Sequence, residues 1–255
     1  MSVITHGGVS ILNAIPLGLG SSCAVDLPVE VEASFGPQSP DSILLDTITR
    51  YFSSKSGREV SVKVKSEIPQ GGGLKSSSAV AAGAVAALSS LTGMDVDIPV
   101  LAAKLSIEAG VSITGALDDV VASLYGGISI CDNTNMKIVR KVPFPDGYLF
   151  VLLPRGPRVN FDPELLRRRW PAFKGIASMV YNGRYIEAMA HNGLTVSQAL
   201  GYETDLLLKA IDSGAKAAGV SGNGPSLFAL VKEGEEGPIM DIFSSLGSPI
   251  TRRPI

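Results

Sequence analysis

Residues 71–78, with the sequence GGGLKSSS, place glycines, a positive charge and three hydroxyl groups directly before a run of small apolar residues. Glycines let backbone N–H groups converge on a ligand, and a helix N-terminus carries about half a positive charge. Serine hydroxyls can bind phosphate oxygens or a metal ion. The alternative is that the serines only cap a helix and the glycines only turn the chain. We favour a phosphate-binding loop formed by Gly71, Gly72, Gly73, Leu74, Lys75, Ser76, Ser77 and Ser78. It is not a Walker A loop, because Leu74 stands where that motif needs glycine.

Three carboxylates lie on the helices predicted after this loop. Glu108 follows Leu101 and Leu105 at helical spacing, and it lies in the last turn of its helix, where a carboxylate opposes the helix dipole. A bound divalent cation would offset that cost, whereas the alternative is a glutamate that points to solvent at a frayed end. Asp118 and Asp119 open the next helix, where acidic residues are favoured without any catalytic role.

Two further segments could border a ligand. The turn Gly222–Asn223–Gly224 lies between a predicted helix and a predicted strand, and it suits either a plain connection or a close backbone approach to a ligand. Arg155 and Arg158 lie in a proline-rich passage, where they could bind a substrate carboxylate in a cleft between domains. The alternative is that both arginines are solvated surface charges.

The elements that must position these residues form a mixed pattern. Alternating apolar residues predict strands over 29–35 and 60–68, and continuous apolar runs predict strands near 128–132, 148–153 and 226–232. Helical spacing predicts helices over 39–57, three helices between 76 and 125, and helices near 164–181, 185–200 and 204–218. Because strands and helices do not alternate strictly, the pattern favours an α+β fold over a doubly wound parallel sheet. We place a domain boundary near residue 146, which gives domains of residues 1–146 and 147–255.

The composition restricts the class of protein. The 255 residues are 45% hydrophobic and 18% charged, with a net charge of −2, which is typical of a globular chain and argues against nucleic-acid binding. The run Ala79–Leu88 has about half the length that a membrane span needs. Cys23 and Cys131 form no C-x-x-C pair and no signal peptide is evident, so we expect reduced, buried thiols in a cytoplasmic protein without a membrane partner.

Three segments, taken in order, resemble the three motifs of the GHMP kinase superfamily of small-molecule kinases. PQGGGLKSSSA resembles the P-x-x-x-G-L-x-S-S-A loop, and GVSGNGPS resembles the C-terminal G-x-S-G-S-G-P-[ST] motif. The resemblance implies a two-domain α+β fold with an N-terminal nucleotide-binding domain and a ferredoxin-like C-terminal domain that closes the substrate cleft.

The resemblance also implies roles for individual residues. Residues 71–78 would bind the ATP phosphates, and Ser77 with Glu108 would hold Mg²⁺. Asp119 would be the catalytic aspartate, and Asp118 would lie close enough to tune its pKa. The residues expected around the small-molecule acceptor are Asn13, Asp26, Arg155, Gly222, Asn223 and Gly224.

The N-terminal segment GGVSILNAIPLGLGSSCAVDL is similar to the first motif in its archaeal shikimate kinase form. Gly8 replaces a lysine of the mevalonate-type motif, and Asn13-Ala14-Ile15 replaces its G-E-H, which argues against mevalonate or galactose as the acceptor. This similarity implies ATP-dependent phosphorylation of shikimate to shikimate 3-phosphate. The alternatives are another activity such as homoserine phosphorylation, or a non-catalytic nucleotide-binding regulator. Lys75, Arg155 and Arg158 are the candidates for a cation that assists Asp119.

Overall fold

Two antiparallel β-sheets with packed helices make up the protein, seen here in a computed structural model that describes residues 1–37, 40–157 and 161–255. The described strands are β1 (Ser2–Leu12), β2 (Leu19–Phe35), β3 (Val60–Ser66), β4 (Ile128–Asp132), β5 (Lys137–Val142), β6 (Tyr148–Leu153), β7 (Ala217–Val220), β8 (Leu227–Lys232) and β9 (Ile250–Arg252). The described helices are α1 (Ile43–Ser56), α2 (Ser76–Thr92), α3 (Ile98–Glu108), α4 (Leu117–Tyr125), α5 (Glu164–Arg167), α6 (Trp170–Tyr181), α7 (Tyr185–Ala199), α8 (Asp205–Asp212) and α9 (Gly237–Ser244).

The first sheet is built around β2, a strand of 17 residues with neighbours on both edges. Strand β1 pairs along one edge. On the other edge β4 pairs with Leu19–Cys23 and β3 pairs with Val29–Phe35, while β5 extends the sheet beyond β4. One long strand therefore connects the start of the chain to the region around α4.

The second sheet has the order β7-β8-β6-β9, with every pairing antiparallel. Helices α5 to α8 lie between β6 and β7 in the chain, and α7 packs closely on β7. This arrangement confirms the predicted α+β fold. The predicted boundary at residue 146 lies between β5 and β6, but one hydrophobic core continues through both sheets. The division into two domains therefore stays a prediction.

Small residues bring α2 against the first sheet. Ala79, Ala81 and Ala82 are fully buried, and a Cβ added to Gly83 would lie 2.6 Å from Val31 Cγ2. The hydroxyl of Thr5 on β1 donates a hydrogen bond to the Ala79 carbonyl oxygen at 2.8 Å. This close packing holds the N-terminal turn of α2, and the glycine loop before it, in a fixed position on the sheet.

The three helices predicted between residues 76 and 125 are confirmed as α2, α3 and α4. The helix predicted over 204–218 is wrong in its last part, because α8 ends at Asp212 and Ala217–Val220 form β7. Gly214 has a φ of +108°, which interrupts the helix, and pairing with β8 then draws the following small residues into the sheet. Short runs of alanine and valine fit either state, so tertiary pairing decides between them.

Within the described ranges, no helix is both long and apolar enough to cross a membrane. Cys23 and Cys131 are free and buried, which confirms the prediction that they do not form a disulfide.

Candidate active site

A cavity of about 640 Å³ lies where the glycine loop, the N-termini of α2 and α4, and the Gly222–Gly224 turn meet. Its lining includes most of the residues that the sequence singled out for chemistry. Those lining residues are Asn13, Gly71, Gly73, Lys75, Ser76, Ser77, Ser78, Asp118, Asp119, Gly222, Asn223 and Gly224. Segments that are more than 200 residues apart in the chain thus meet at one cavity.

The glycine loop is positioned by its contacts with the second sheet. Gly73 has a φ of +90°, and a Cβ at this position would lie 2.2 Å from the carbonyl oxygen of Ser221, so only glycine fits. The Ser221 hydroxyl donates to the Gly73 carbonyl oxygen at 2.8 Å, and the Ser226 amide donates to the Gly72 carbonyl oxygen at 2.9 Å. Leu74 is buried and anchors the loop in the core. These contacts explain why the loop needs glycine and leucine at these places.

Helix α2 begins in an arrangement suited to anion binding. Its N-cap residue, Lys75, is in the left-handed conformation and makes no capping hydrogen bond with its side chain. Ser76, Ser77 and Ser78 form the first turn and all line the cavity. The N–H groups and partial positive charge of a helix N-terminus attract phosphate, so this wall can bind the phosphates of a nucleotide.

The carboxylates of α4 face this helix end. Lys75 Nζ lies 2.9 Å from Asp119 Oδ1, and the two side chains are only 9% and 11% exposed. Lys75 also donates to Ser10 Oγ at 2.5 Å. Of the two candidate cations that lie within the described residues, Lys75 and Arg155, the structure pairs Lys75 with Asp119.

Asp118 lies behind Asp119 and is only 4% exposed. The Ser22 hydroxyl lies 3.0 Å from Asp118 Oδ2 and also contacts Asp119 Oδ1, while Asn133 Nδ2 donates to Asp118 Oδ1 at 2.8 Å. A Cβ added to Gly20 would lie 2.4 Å from Asp118 Cγ, so glycine at this position of β2 makes room for the buried carboxyl.

Burial is the main influence on Asp118. Desolvation raises the pKa of Asp118 to about 7, and the negative charge of Asp119 adds to this rise. Lys75 and the hydrogen bonds from Asn133 and Ser22 oppose the rise. The neighbouring Cys131 thiol is also buried, and desolvation together with the two aspartates raises its pKa well above the ordinary value.

The turn Gly222–Asn223–Gly224 also lines the cavity, and Asn13 braces this turn. Asn13 Nδ2 donates to the Gly222 carbonyl oxygen at 3.2 Å and to Asn223 Oδ1 at 2.9 Å. The Gly222 amide donates to Ser10 Oγ at 3.2 Å. Since Ser10 also accepts from Lys75, this turn is connected to the carboxylates of α4.

Five predicted site residues lie outside the lining of this cavity, and two of them, Gly72 and Leu74, are buried within the glycine loop. Glu108 is exposed at the end of α3, and Asp26 is exposed on β2, where its backbone amide donates to the Arg253 carbonyl oxygen at 2.9 Å. Arg155 is half-buried next to the glycine loop, and its amide donates to Ser226 Oγ at 3.0 Å. Arg158 lies outside the described residues. The roles predicted for these residues stay predictions.

A Mg²⁺ site between Ser77 and Glu108 is therefore only half assembled at the cavity, because Ser77 lines it and Glu108 does not. In the described part of the chain, no group of three or more His, Cys, Asp or Glu side chains is arranged to hold a metal ion. Mg²⁺ in kinases needs few protein ligands, because substrate phosphates and water supply the others. The serine hydroxyls are thus compatible with a metal that arrives with the nucleotide.

Sequence reasoning missed the polar residues that support the carboxylates, which are Ser10, Ser22 and Asn133. The two serines lie within the N-terminal motif, but nothing in their spacing indicated contact with α4. Asn133 follows β4 and carried no signal of its own. The pairing of β4 with β2 in the first sheet brings Asn133 within hydrogen-bond distance of Asp118.

Comparisons with known proteins agree with this geometry. The family described as the GHMP kinases N terminal domain matches residues 43–127. The shikimate kinase of Methanothermobacter thermautotrophicus is 32% identical over 265 residues, covering 96% of this chain and 92% of the relative. The shikimate kinase of Archaeoglobus fulgidus is 31% identical over 262 residues, covering 99% and 92%.

Solved structures show the same fold at low sequence identity. The mevalonate kinase of Methanococcus jannaschii superposes with a TM-score of 0.76 at 16% identity, covering 100% of this chain and 98% of the other. The homoserine kinase of Cytophaga hutchinsonii gives a TM-score of 0.72 at 20% identity, covering 99% and 95%. These structures establish the fold alone, while the curated relatives carry the closer relationship. The chain therefore belongs to the GHMP kinase family and, within it, groups with the archaeal shikimate kinases.

Proposed function

We propose that this protein is an ATP-dependent kinase that phosphorylates a hydroxyl group of shikimate and yields shikimate 3-phosphate. The observation that carries the proposal is the buried pair of Lys75 and Asp119, which joins the N-terminus of α2 to the carboxylates of α4 at one cavity. The identity to two curated shikimate kinases over nearly the whole chain supports the choice of acceptor.

The glycine loop and the first turn of α2 would bind the phosphates of ATP. Gly71 and Gly73 line the cavity with backbone in the left-handed region, and Ser76 to Ser78 present hydroxyls beside the helix N-terminus. Because contacts with Ser221 and Ser226 already order the loop, little conformational freedom would be lost when phosphate binds.

Asp119 would act on the acceptor. Its carboxylate lies at the cavity and would orient the acceptor hydroxyl and accept its proton. The hydroxyl oxygen forms a bond to the γ-phosphorus, the bond from that phosphorus to the β,γ-bridging oxygen breaks, and ADP leaves. The proton on Asp119 then passes to solvent. Positioning and charge neutralisation carry most of the catalysis in phosphoryl transfer, and Lys75 supplies a fixed positive charge beside the transferred group.

Mg²⁺ would be held by Ser77, with Glu108 as the second proposed protein ligand. When bound, the ion neutralises charge on the phosphates. The same hydroxyl groups of the α2 turn can serve phosphate and metal together, whereas Glu108 must reach the site from the end of α3.

The acceptor would lie against the turn Gly222–Asn223–Gly224, with Asn13 bracing the turn from β1. Lys75 is the one cationic side chain among the described residues that line the cavity. Arg155, next to the glycine loop, remains the proposed partner of the acceptor carboxylate. We propose the cytoplasm as the setting, in keeping with two free buried cysteines.

A coupled assay of ADP release tests the proposal, with Mg-ATP and shikimate, homoserine, mevalonate or galactose as acceptor. We expect turnover with shikimate, and mass spectrometry of the product should show the addition of one phosphoryl group. Asp119→Asn is the control for background ATP hydrolysis.

Each other outcome points to a specific alternative. Turnover with homoserine instead of shikimate would keep the kinase chemistry and overturn the acceptor. ATP binding in a calorimeter without turnover on any acceptor would favour a nucleotide-binding regulator.

A further inference from the structure

A chain of hydrogen bonds runs behind the cavity from Asn133 through Asp118 and Ser22 to Asp119. Asn133 Nδ2 donates to Asp118 Oδ1 at 2.8 Å, and Ser22 Oγ lies 3.0 Å from Asp118 Oδ2. The same Ser22 oxygen contacts Asp119 Oδ1, which in turn is paired with Lys75. Two carboxyl groups thus share one serine hydroxyl.

The number of protons limits what this serine can do. A hydroxyl group has one proton to donate, so it cannot donate to two ionised carboxylates at the same time. Both contacts of Ser22 are linear hydrogen bonds only if one carboxyl is protonated and donates to Ser22 Oγ. The other carboxyl then accepts the serine proton.

The surroundings identify Asp118 as the protonated member. Asp119 forms an ion pair with Lys75, whose Nζ lies 2.9 Å from Asp119 Oδ1, so a negative charge on Asp119 has a direct counter-charge. Asp118 is 4% exposed, and within the described part of the chain its carboxyl group hydrogen-bonds to the neutral side chains of Asn133 and Ser22. Because Asn133 donates to Oδ1, the oxygen that faces Ser22 is available to carry the proton.

We propose that Asp118 is a positioning residue that works as a neutral acid, donating to Ser22 so that Ser22 donates to Asp119 and fixes the catalytic carboxylate. This inference rests on the proposed function, in which Asp119 receives the proton of the acceptor hydroxyl. It gives a specific form to the expectation that Asp118 lies close to Asp119 and influences it.

The electrostatics of the pocket agree with this arrangement. Burial, followed by the charge of Asp119, raises the pKa of Asp118 to about 7. The titratable groups that face Asp118 are Asp119 on α4, Lys75 at the start of α2 and the Cys131 thiol on β4. As the pH rises through about 7, Asp118 loses its proton, and Ser22 is then shared by two negative charges. Phosphorylation should therefore decline on the alkaline side.

The variant Asp118→Asn distinguishes between two roles for Asp118, a neutral hydrogen-bond donor and a charged carboxylate. The asparagine oxygen can accept from Asn133 while its Nδ2 donates to Ser22, which reproduces the pattern of the protonated acid at every pH. We expect this variant to remain active and to lose the alkaline decline. Its kcat at pH 8.5 should exceed that of the wild type several-fold, while its kcat at pH 6 should not.

Two matched variants complete the experiment. Asp119→Asn should be deficient at every pH, and Asp95→Asn, on the exposed surface, should follow the wild-type profile. An Asp118→Asn protein as inactive as Asp119→Asn would overturn the proposal, because a charged Asp118 would then be required. An active variant whose alkaline decline matches the wild type would overturn it equally.

Thermal unfolding gives a readout that does not depend on the acceptor. A folded-state pKa of about 7, against an ordinary value of 3.8, means that the folded protein holds an extra proton between these values. This proton stabilises the folded wild-type protein. The stabilisation is complete below about pH 3.8 and is lost as the pH rises towards 7. The Tm of Asp118→Asn relative to wild type should therefore rise from pH 5 to pH 8, and parallel curves would overturn the proposal. Absence of shikimate turnover in the wild type would defeat only the proposed function, since the unfolding result still decides on Asp118.

Discussion

The two sides of the cavity are built in different ways. The loop wall, residues 71–78, is one continuous segment that faces the ligand with glycine backbone and serine hydroxyls. The carboxylate wall consists of side chains from β1, β2, α4 and the residue after β4, and its members are Ser10, Ser22, Asp118, Asp119 and Asn133. Lys75 joins the two walls, because its backbone caps α2 while its ammonium group pairs with Asp119.

Burial follows this division in part, since Gly72, Leu74 and Ser76 of the loop wall are also buried. Gly71 and Ser77 are exposed on the loop wall, whereas Asp118, Ser22 and Asn133 are buried. A backbone site for phosphate depends on chain conformation and tolerates changes of most side chains. A buried polar network depends on each donor and acceptor, because a group that loses its partner there cannot hydrogen-bond to water instead. Side-chain changes that remove a hydrogen-bond donor or acceptor, or a charge, should therefore damage the carboxylate wall, and conformational changes should damage the loop wall.

Asp119→Asn should have the largest effect. The substitution keeps the shape but removes the base and the partner of Lys75, so kcat should fall by about 10²–10⁴-fold. The affinity for ATP, measured by calorimetry, should stay within about threefold, because phosphate binding belongs to the loop wall. An equal loss of kcat and of ATP affinity would show that the two walls do not act separately.

Lys75→Met should have the next largest effect, and it should affect both walls. Loss of the ammonium group removes a fixed charge beside the transferred phosphoryl, so kcat should fall by about 10²–10³-fold. The KM for ATP should also rise, in contrast to Asp119→Asn. Lys75→Arg is the matched variant that keeps the charge. The Lys75 side chain is only 9% exposed and its Nζ contacts both Asp119 and Ser10, so a larger guanidinium group has little room. Steady-state kinetics of both variants at varied ATP concentration would measure the effect on kcat and the effect on the KM for ATP separately.

The same difference explains what the sequence could predict. The loop wall is contiguous, so its glycines, lysine and serines could be recognised together, and α2 begins at Ser76 as the pattern indicates. Helix α1 was also accessible from local signals, since Ser42 caps its start and Gly57, with a φ of +68°, ends it. Local chemistry of this kind is readable in a single sequence.

The carboxylate wall could be predicted only in part. Asp118 and Asp119 were visible as neighbours at a helix start, but their partners come from β1, β2 and the end of β4. Contact between Ser22 and Asp118 depends on the pairing of β2 with β4 and on the space left by Gly20. Such contacts arise from sheet register, which no local pattern of residues specifies. Asp26 was placed near the acceptor by the family resemblance alone; it lies outside the cavity lining, and its role stays a prediction.

Gly73→Ala tests the loop wall through conformation. The left-handed φ and the Ser221 carbonyl oxygen at 2.2 Å from the added Cβ should together lower the free energy of unfolding by about 1–3 kcal/mol. The displaced loop should also raise the KM for ATP. Gly57→Ala is the matched control, because Gly57 has a similar left-handed φ with nothing within 4 Å. Its stability loss should be smaller, and its KM for ATP should equal that of the wild type; equal losses in denaturant unfolding would mean that crowding at Gly73 is unimportant.

The smallest effect is expected from Glu108→Gln, which tests whether the loop wall recruits a carboxylate for Mg²⁺. Glu108 is exposed at the end of α3 and does not line the cavity, so any contribution to metal binding must come after it reaches across to Ser77. We expect the Mg²⁺ concentration for half-maximal activity to rise by less than about tenfold, because phosphates and water supply most ligands of a kinase metal.

Glu59→Gln, an exposed glutamate just before β3, is the matched control for charge and should leave the Mg²⁺ requirement unchanged. If both variants titrate identically with Mg²⁺, Glu108 has no part in the metal site. The loop wall would then bind metal and phosphate through hydroxyl and backbone groups alone, and every functional carboxyl of the cavity would belong to the carboxylate wall.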